Sequence, residues 1–428
     1  MNASDLALPA TPKDPAAAAA SGAGPHRPAS RLRALDGLRL LAALMVCLYH
    51  FAGRGGPVAA AWQESPGRLF PALSRAAVYG CLGVQFFFVI SGFVICMSSW
   101  GRTPGQFFRS RVARLYPAYW AALLLVTGAC LLLPAVVRPP RPDEFLVNLT
   151  MLQQPLGAPR VLGVCWTLWA EARFYVLFAL CVVRRGVTYR RVVLFCGLWT
   201  LACVLARVAH APLVEELVMP EHAPFFIGGL ALYLVHRHGG DPLLWGIVAV
   251  SWLLGQRYSV TGLWHPGAQG GDFHRDPYVI QAVVTLAFAA VAVVALGWAR
   301  WADRRWLTVA GALTYPFYLI HEHLGWFVIR VVRQDLGLGP WPTLGVTVAG
   351  LLGLAWLLHR FVERPVGPWL KRALSAPSAR ARTGAPPRPT GGVPGSASRP
   401  CARRGGGAVP RPVRGCRRAG AGWSGGAS

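Results

Sequence analysis

Residues 38–51 read LRLLAALMVCLYHF, and this stretch decides the fold. Apart from Arg39 near its start and His50 near its end, every residue is apolar, so a helix here has no polar face to turn toward water. Comparable apolar runs begin near Leu82, Tyr116, Trp166, Val192, Pro224, Leu243, Val279, Trp306 and Trp341. Each is long enough, or nearly so, to cross a hydrocarbon core about 30 Å thick. The pattern predicts an all-α protein, a polytopic membrane helix bundle of about ten transmembrane helices. The runs from Pro224 to Val235 and from Leu243 to Gly255 are short, and need flanking residues or local thinning of the bilayer to span. A closed β-barrel requires many alternating segments of about ten residues, which these unbroken runs do not supply.

Composition agrees. The chain has 428 residues, 54% of them hydrophobic and only 14% charged, too few charges to solvate the surfaces of two or three soluble domains. Its formal net charge of +26 raises the question of nucleic acid, and the distribution of that charge answers it. From Lys371 to Ser428 there are twelve Lys or Arg and no acidic residue, and most of the remaining excess lies in short loops between apolar runs. That is the pattern of membrane topology and not of a nucleic-acid groove. With the N-terminus inside, the inside loops carry Arg102, Arg109, Arg111 and Arg114, then Arg184, Arg185, Arg190 and Arg191, then Arg237, then Arg300, Arg304 and Arg305, and last the basic tail. The outside loops are mixed or acidic: Asp143 and Glu144 with Arg138 and Arg141, then Glu215, Glu216 and Glu221, then Asp272 and Asp276 with Arg275. Both termini are therefore expected in the cytoplasm.

Three segments follow. Residues 1–30 lack the basic start and apolar core of a secretory signal and are expected to form a disordered cytoplasmic lead. Residues 31–370 form the transmembrane domain. Residues 371–428 are Ala, Pro, Gly, Ser and Arg with few large apolar residues, which predicts a disordered basic cytoplasmic tail. Gly422-Trp-Ser-Gly-Gly426 matches the nucleophile-elbow pattern, but with no strand before it and no helix after it the match is rejected. Cys47, Cys96, Cys130, Cys181, Cys196 and Cys203 sit inside apolar runs with no CxxC pair, and read as small membrane-helix residues rather than a disulfide framework or metal site.

An ionisable group inside a membrane helix costs about 2.5–3.5 kcal/mol on insertion scales, so each one is a candidate for function. At 1.5 Å per residue, His50 lies about 16 Å above Arg39, Glu171 about 20 Å above Arg184 at the end of its helix, and His321, followed by Glu322, about 22 Å above Trp306. Ser91, in the FFFVISGFVI run, lies at a comparable depth. An imidazole with a nearby carboxylate suits general-base activation of a hydroxyl, because the carboxylate fixes the tautomer and stabilises the imidazolium. Arg111 and Arg114, spaced i, i+3, sit at the inner boundary, where guanidinium forks suit the phosphates of coenzyme A. They also set topology.

These segments resemble the acyltransferase-3 family of integral-membrane O-acyltransferases, from about Arg33 to about Pro365. The resemblance rests on LDGLRLLAALMVCLYHF, with Arg39 and His50; GVQFFFVISGFVI; FRSRVARLYPAYW, with Arg111 and Arg114; WTLWAEARFY; TYPFYLIH; and FVERP, with Glu363. It implies transfer of an acyl group, acetyl by default, from acyl-CoA as co-substrate to a hydroxyl of a carbohydrate or other acceptor, in the inner membrane of a bacterium. By resemblance His50 and Glu171 are the catalytic pair, and Arg39, Arg111 and Arg114 bind acyl-CoA. Ser91, His321, Glu322 and Glu363 are further site candidates, and no metal is expected. The family commonly has a second acidic residue after the glutamate of WTLWAEARFY; here Ala172 stands there. On this reading His50, polarised by Glu171, deprotonates the acceptor. The alternative is a transporter or flippase of a lipid-linked glycan using the same buried polar cluster as a pathway; the two halves of the chain show none of the self-similarity common in transporters.

Overall fold

The computed structural model describes residues 32–264 and 274–375. The expected lead, all but the start of the tail, Asp272 and the Gly422–Gly426 match lie outside the described residues. Each of the ten expected runs falls on a helix: α1 (Arg33–Ala52), α2 (Gly83–Ser99), α3 (Pro104–Leu132), α4 (Trp166–Cys181), α5 (Tyr189–Val208), α6 (Ala223–His238), α7 (Pro242–Leu263), α8 (Pro277–Ala295), α9 (Trp306–Arg330) and α10 (Pro340–Leu358). Shorter helices join them, and no strand occurs among the described residues.

Eight of the ten, with their flanking turns, are long and apolar enough to cross a membrane. The other two, α7 and α9, have 22 and 25 residues. Gln256 and Arg257 lower the hydropathy of α7, and His321, Glu322 and His323 that of α9. The short apolar run of α7 is extended at both ends. Asp241 caps its start by accepting from the Leu244 N–H at 2.9 Å, and its later turns tolerate Gln256 because the amide donates to Gln281 O at 3.0 Å and Thr285 Oγ1 at 2.8 Å on α8. Similarly, Thr103 and Gln106 close a reciprocal capping box at the start of α3. Helix Arg364–Ala373 follows α10, running three residues past the expected boundary at Leu370.

Contacts between loops group them by the end of the bundle at which they lie. Arg33, at the start of α1, bonds Asp303 before α9 at 3.0 Å, and Arg237 at the end of α6 lies over the Trp100 ring after α2, 4.1 Å from its centroid. At the other end of the helices, Arg275 Nε donates to Val78 O at 3.1 Å, and Gln334 Nε2 donates to Ala61 O at 2.8 Å. Outward-facing leucines such as Leu124, Leu194, Leu198, Leu205 and Leu286 are exposed, as a lipid-facing surface requires.

The buried side chains fall into two cores. One is built mainly from α2, α4, α5, α6 and α8, the other mainly from α1, α3, α9 and α10. In the first, α2 and α6 meet backbone to backbone: a Cβ on Gly92 would overlap the Phe226 carbonyl, and one on Gly229 would overlap the Val89 carbonyl. Such small residues let membrane helices approach closely, where packing rather than the hydrophobic effect holds them. Their contact also holds Ser91, the neighbour of Gly92, in place at the seam between the two cores.

Candidate active site

The costly polar residues gather at that seam in two groups. The first joins α1 to α9. His321 is fully buried and His50 is 8% exposed; His321 Nδ1 lies 2.8 Å from the Tyr318 carbonyl and its Nε2 lies 3.0 Å from His50 Nδ1. Hydrogen-bond chemistry assigns the tautomers. A carbonyl only accepts, so His321 Nδ1 carries a proton, and the Nε2 of the neutral ring accepts from His50 Nδ1. His50 Nδ1 also faces the Val46 carbonyl at 2.9 Å, which again calls for a proton there. The neutral His50 ring therefore presents its lone pair at Nε2, the form a general base needs.

His50 Nε2 faces Glu322 Oε1 at 3.4 Å, and Arg54 Nη1 reaches the same oxygen at 3.5 Å. Once protonated, the imidazolium has a carboxylate beside it. The other oxygen, Oε2, is buried without a hydrogen-bond partner and packs against Gly163, where a Cβ would overlap it. Next to this glycine, the Val161 carbonyl lies 2.7 Å from His323 Nδ1, so the turn before α4 is fitted onto the polar segment of α9.

The second group joins α2 to α4. Ser91 Oγ donates to Glu171 Oε1, and both line a pocket of about 60 Å³ with Arg39, Arg114, Thr167 and Tyr318. Tyr318 links the groups: its hydroxyl shares a hydrogen bond of 3.0 Å with Thr167 Oγ1, and its carbonyl is the partner of His321.

Two expected pairings are redrawn by this geometry. The carboxylate beside His50 is Glu322, whereas Glu171 accepts from Ser91: His50 points across the α1/α9 contact while Glu171 faces α2. Nor do Arg111 and Arg114 form one fork. Arg111 Nη2 donates to Ser98 Oγ at 2.8 Å, and its guanidinium lies over the Phe107 and Tyr175 rings, while Arg114 lines the pocket. Glu363 is removed from both groups and pairs with His359 Nδ1 at 2.7 Å. Arg54, Thr167, Tyr318 and Gly163 were not singled out in the sequence. Tyr318 had a readable signal, since it sits three residues before His321 on one helical face; Arg54 and Gly163, in turns outside the apolar runs, had none. Among the described residues no group of three or more His, Cys, Asp or Glu is placed to hold a metal ion.

Buried histidines with carboxylates and arginines beside them, set within a multi-pass helix bundle, are the groups that acid–base chemistry requires. The family profile described as an acyltransferase domain matches residues 32–360, and the chain belongs to this acyltransferase-3 family. It is 26% identical to acyltransferase MdmB of Streptomyces mycarofaciens over 386 residues, covering 78% of this chain and 91% of that protein. It is 37% identical over 110 residues to exopolysaccharide production protein ExoZ of Rhizobium meliloti (strain 1021), covering 23% of this chain and 33% of that one. No solved structure matches. The protein is thus a membrane acyltransferase, an enzyme of the O-acyltransferase type.

Proposed function

We propose that the enzyme moves an acyl group, acetyl by default, from acyl-CoA to a hydroxyl of a carbohydrate or other acceptor, with His50 as general base. The observation that carries this reading is the hydrogen bond between His50 Nδ1 and His321 Nε2 at 3.0 Å, which leaves His50 Nε2 as the basic atom. In the proposed step Nε2 takes the acceptor's proton and the oxygen attacks the thioester carbonyl. The C–S bond breaks, and the departing thiolate takes up the proton from His50. Glu322 stabilises the imidazolium in between, and Arg39 and Arg114 bind the donor. The basic inside loops and mixed or acidic outside loops support a cytoplasmic position for both termini, and a bacterial inner membrane fits the bacterial sources of both relatives. The name of ExoZ, an exopolysaccharide production protein, supports a carbohydrate among the candidate acceptors.

The Ser91–Glu171 hydrogen bond favours a second form of the same transfer in two steps. Ser91 Oγ attacks the thioester as Glu171 takes its proton and the thiolate leaves; a hydroxyl whose proton passes to His50 then attacks the acyl-serine ester, the ester C–O bond to Ser91 breaks as Glu171 returns the proton to Oγ, and His50 gives its proton to the thiolate. Intact-mass measurement of His50→Ala protein with donor and no acceptor separates the two. One added acyl group, absent when Ser91 is also replaced, supports the serine relay; an unchanged mass supports direct transfer.

Purified protein in lipid, given radiolabelled acetyl-CoA, tests the overall reading. Acceptor-dependent release of the coenzyme A thiol supports it. Failure both to bind acetyl-CoA and to release thiol overturns it.

A further inference from the structure

A second cavity, of about 520 Å³, opens at the end of the bundle where α1 begins, and its lining includes Arg114, Thr308, Tyr315, His359, Arg360 and Arg364. It shares Arg114, Gly311 and Tyr315 with the pocket of Ser91 and Glu171, so the two adjoin along α9. Gly311 keeps the junction narrow-walled, because a Cβ there would overlap the Asp36 carboxylate.

The cavity is cationic. Among the described residues no carboxylate forms a salt bridge with Arg114, Arg360 or Arg364, and the one acidic lining residue, Glu363, is engaged by His359. All three arginines are exposed. The residues after α10 form a π turn, His359–Glu363. Such turns are rare and recur at functional sites. Arg360 lies in this turn and Arg364 opens the next helix, and their i, i+4 spacing lets both line the cavity with Arg114. Arg111, the other arginine of the RxxR pair, is occupied by Ser98 and two aromatic rings, so the cation partners of Arg114 come from the far end of the chain.

We infer that this cavity is the binding site for the phosphorylated nucleotide end of the acyl donor, with Arg360 and Arg364 joining Arg114 as phosphate ligands. The inference rests on the acyl-CoA reading above. Guanidinium groups bind phosphate oxygens through paired, charge-assisted hydrogen bonds. Gly311 and His321 are ten residues apart on one helix, about 15 Å, a span that the flexible pantetheine arm would thread from the phosphates to the site. A phospholipid headgroup offers the same phosphate chemistry, and the test separates it from the nucleotide.

Coenzyme A binding is measured by calorimetry on the full chain in lipid nanodiscs, for wild type, Arg360→Ala, Arg364→Ala and the charge-preserving Arg360→Lys. Co-purified phospholipid is followed by native mass spectrometry. The expected result is Kd raised about tenfold to a hundredfold by each alanine, the loss of one charged hydrogen bond, with weaker effect for lysine, unchanged melting temperature and unchanged lipid. Wild-type affinity in both alanine variants overturns the cavity assignment while leaving the donor reading intact. Loss of bound lipid with coenzyme A affinity retained assigns the site to headgroups and likewise overturns it. No coenzyme A binding by wild type defeats the donor reading and this inference together.

Discussion

His50 Nδ1 lies 3.0 Å from His321 Nε2, joining two residues 271 positions apart, and His321 is in turn held by the carbonyl of Tyr318 at 2.8 Å. The second histidine therefore acts as the element that orients the first. Together with the Val46 carbonyl, its ring fixes which nitrogen of His50 carries the proton, much as a hydrogen-bonded partner fixes the tautomer of a histidine that ligates a metal.

Replacing His321 with Ala removes one of the two acceptors of His50 Nδ1 and leaves the Val46 carbonyl alone to orient the ring. The expected result is kcat reduced about tenfold to a hundredfold, the scale seen when partners of a working imidazole are removed, with little change in donor KM. His321→Gln, whose side-chain amide has both a donor and an acceptor, should recover part of the rate and give a pH profile closer to wild type than His321→Ala does. Equal losses in the two variants with a common fall in melting temperature would mean that His321 only fills space.

Gly163 supports the same group from the other side. A methyl group there overlaps Glu322 Oε2, and the turn that carries Gly163 is tied to His323 through Val161. Gly163→Ala should cost about 1–3 kcal/mol, the usual range for overpacking, and displace Glu322 from His50. Thermal unfolding in detergent and kcat should fall together; a variant with unchanged melting temperature and activity would contradict this packing.

Stability at acid pH should carry the signature of Glu144, which lies between the membrane-spanning segments α3 and α4. The Arg141 backbone N–H at 2.8 Å and the Arg138 guanidinium at 2.8 Å hold its carboxyl below the ordinary glutamate range. A carboxyl lowered in the folded state stabilises the fold fully above its unfolded value, about 4.3, and loses that contribution as pH falls through the lower folded value. Melting temperature measured from pH 6 down should therefore fall more steeply for wild type than for Glu144→Gln, which has no such titration; parallel curves would contradict the assignment.

The bundle was legible in the sequence because apolar length is a local property. All ten runs became helices, including the short ones at Pro224 and Leu243, whose extra turns come from a preceding short helix, Pro212–Val218, and from the Asp241 cap and Gln256 bonds. The level of each polar residue along its helix was legible as well, since a helix rises uniformly, and it drew attention to His50, Glu171, His321 and Glu322. Rotation about the helix axis was not. Whether His50 faces Glu171 or Glu322 depends on how α1 packs against α9, a contact spanning most of the chain. The same limit separated Arg111 from Arg114: i, i+3 spacing puts them on neighbouring parts of one face, and the aromatic ring of Tyr175 on α4, invisible to local spacing, occupies one of them.

The most direct test of the account is coenzyme A release from acetyl-CoA by His50→Ala protein in lipid, with acetyl-CoA binding measured in the same samples. The account predicts that acceptor-dependent release falls about 10²–10⁴-fold, the contribution of a positioned general base, while binding and melting temperature stay near wild type. Release at the wild-type rate from a folded His50→Ala protein would contradict it.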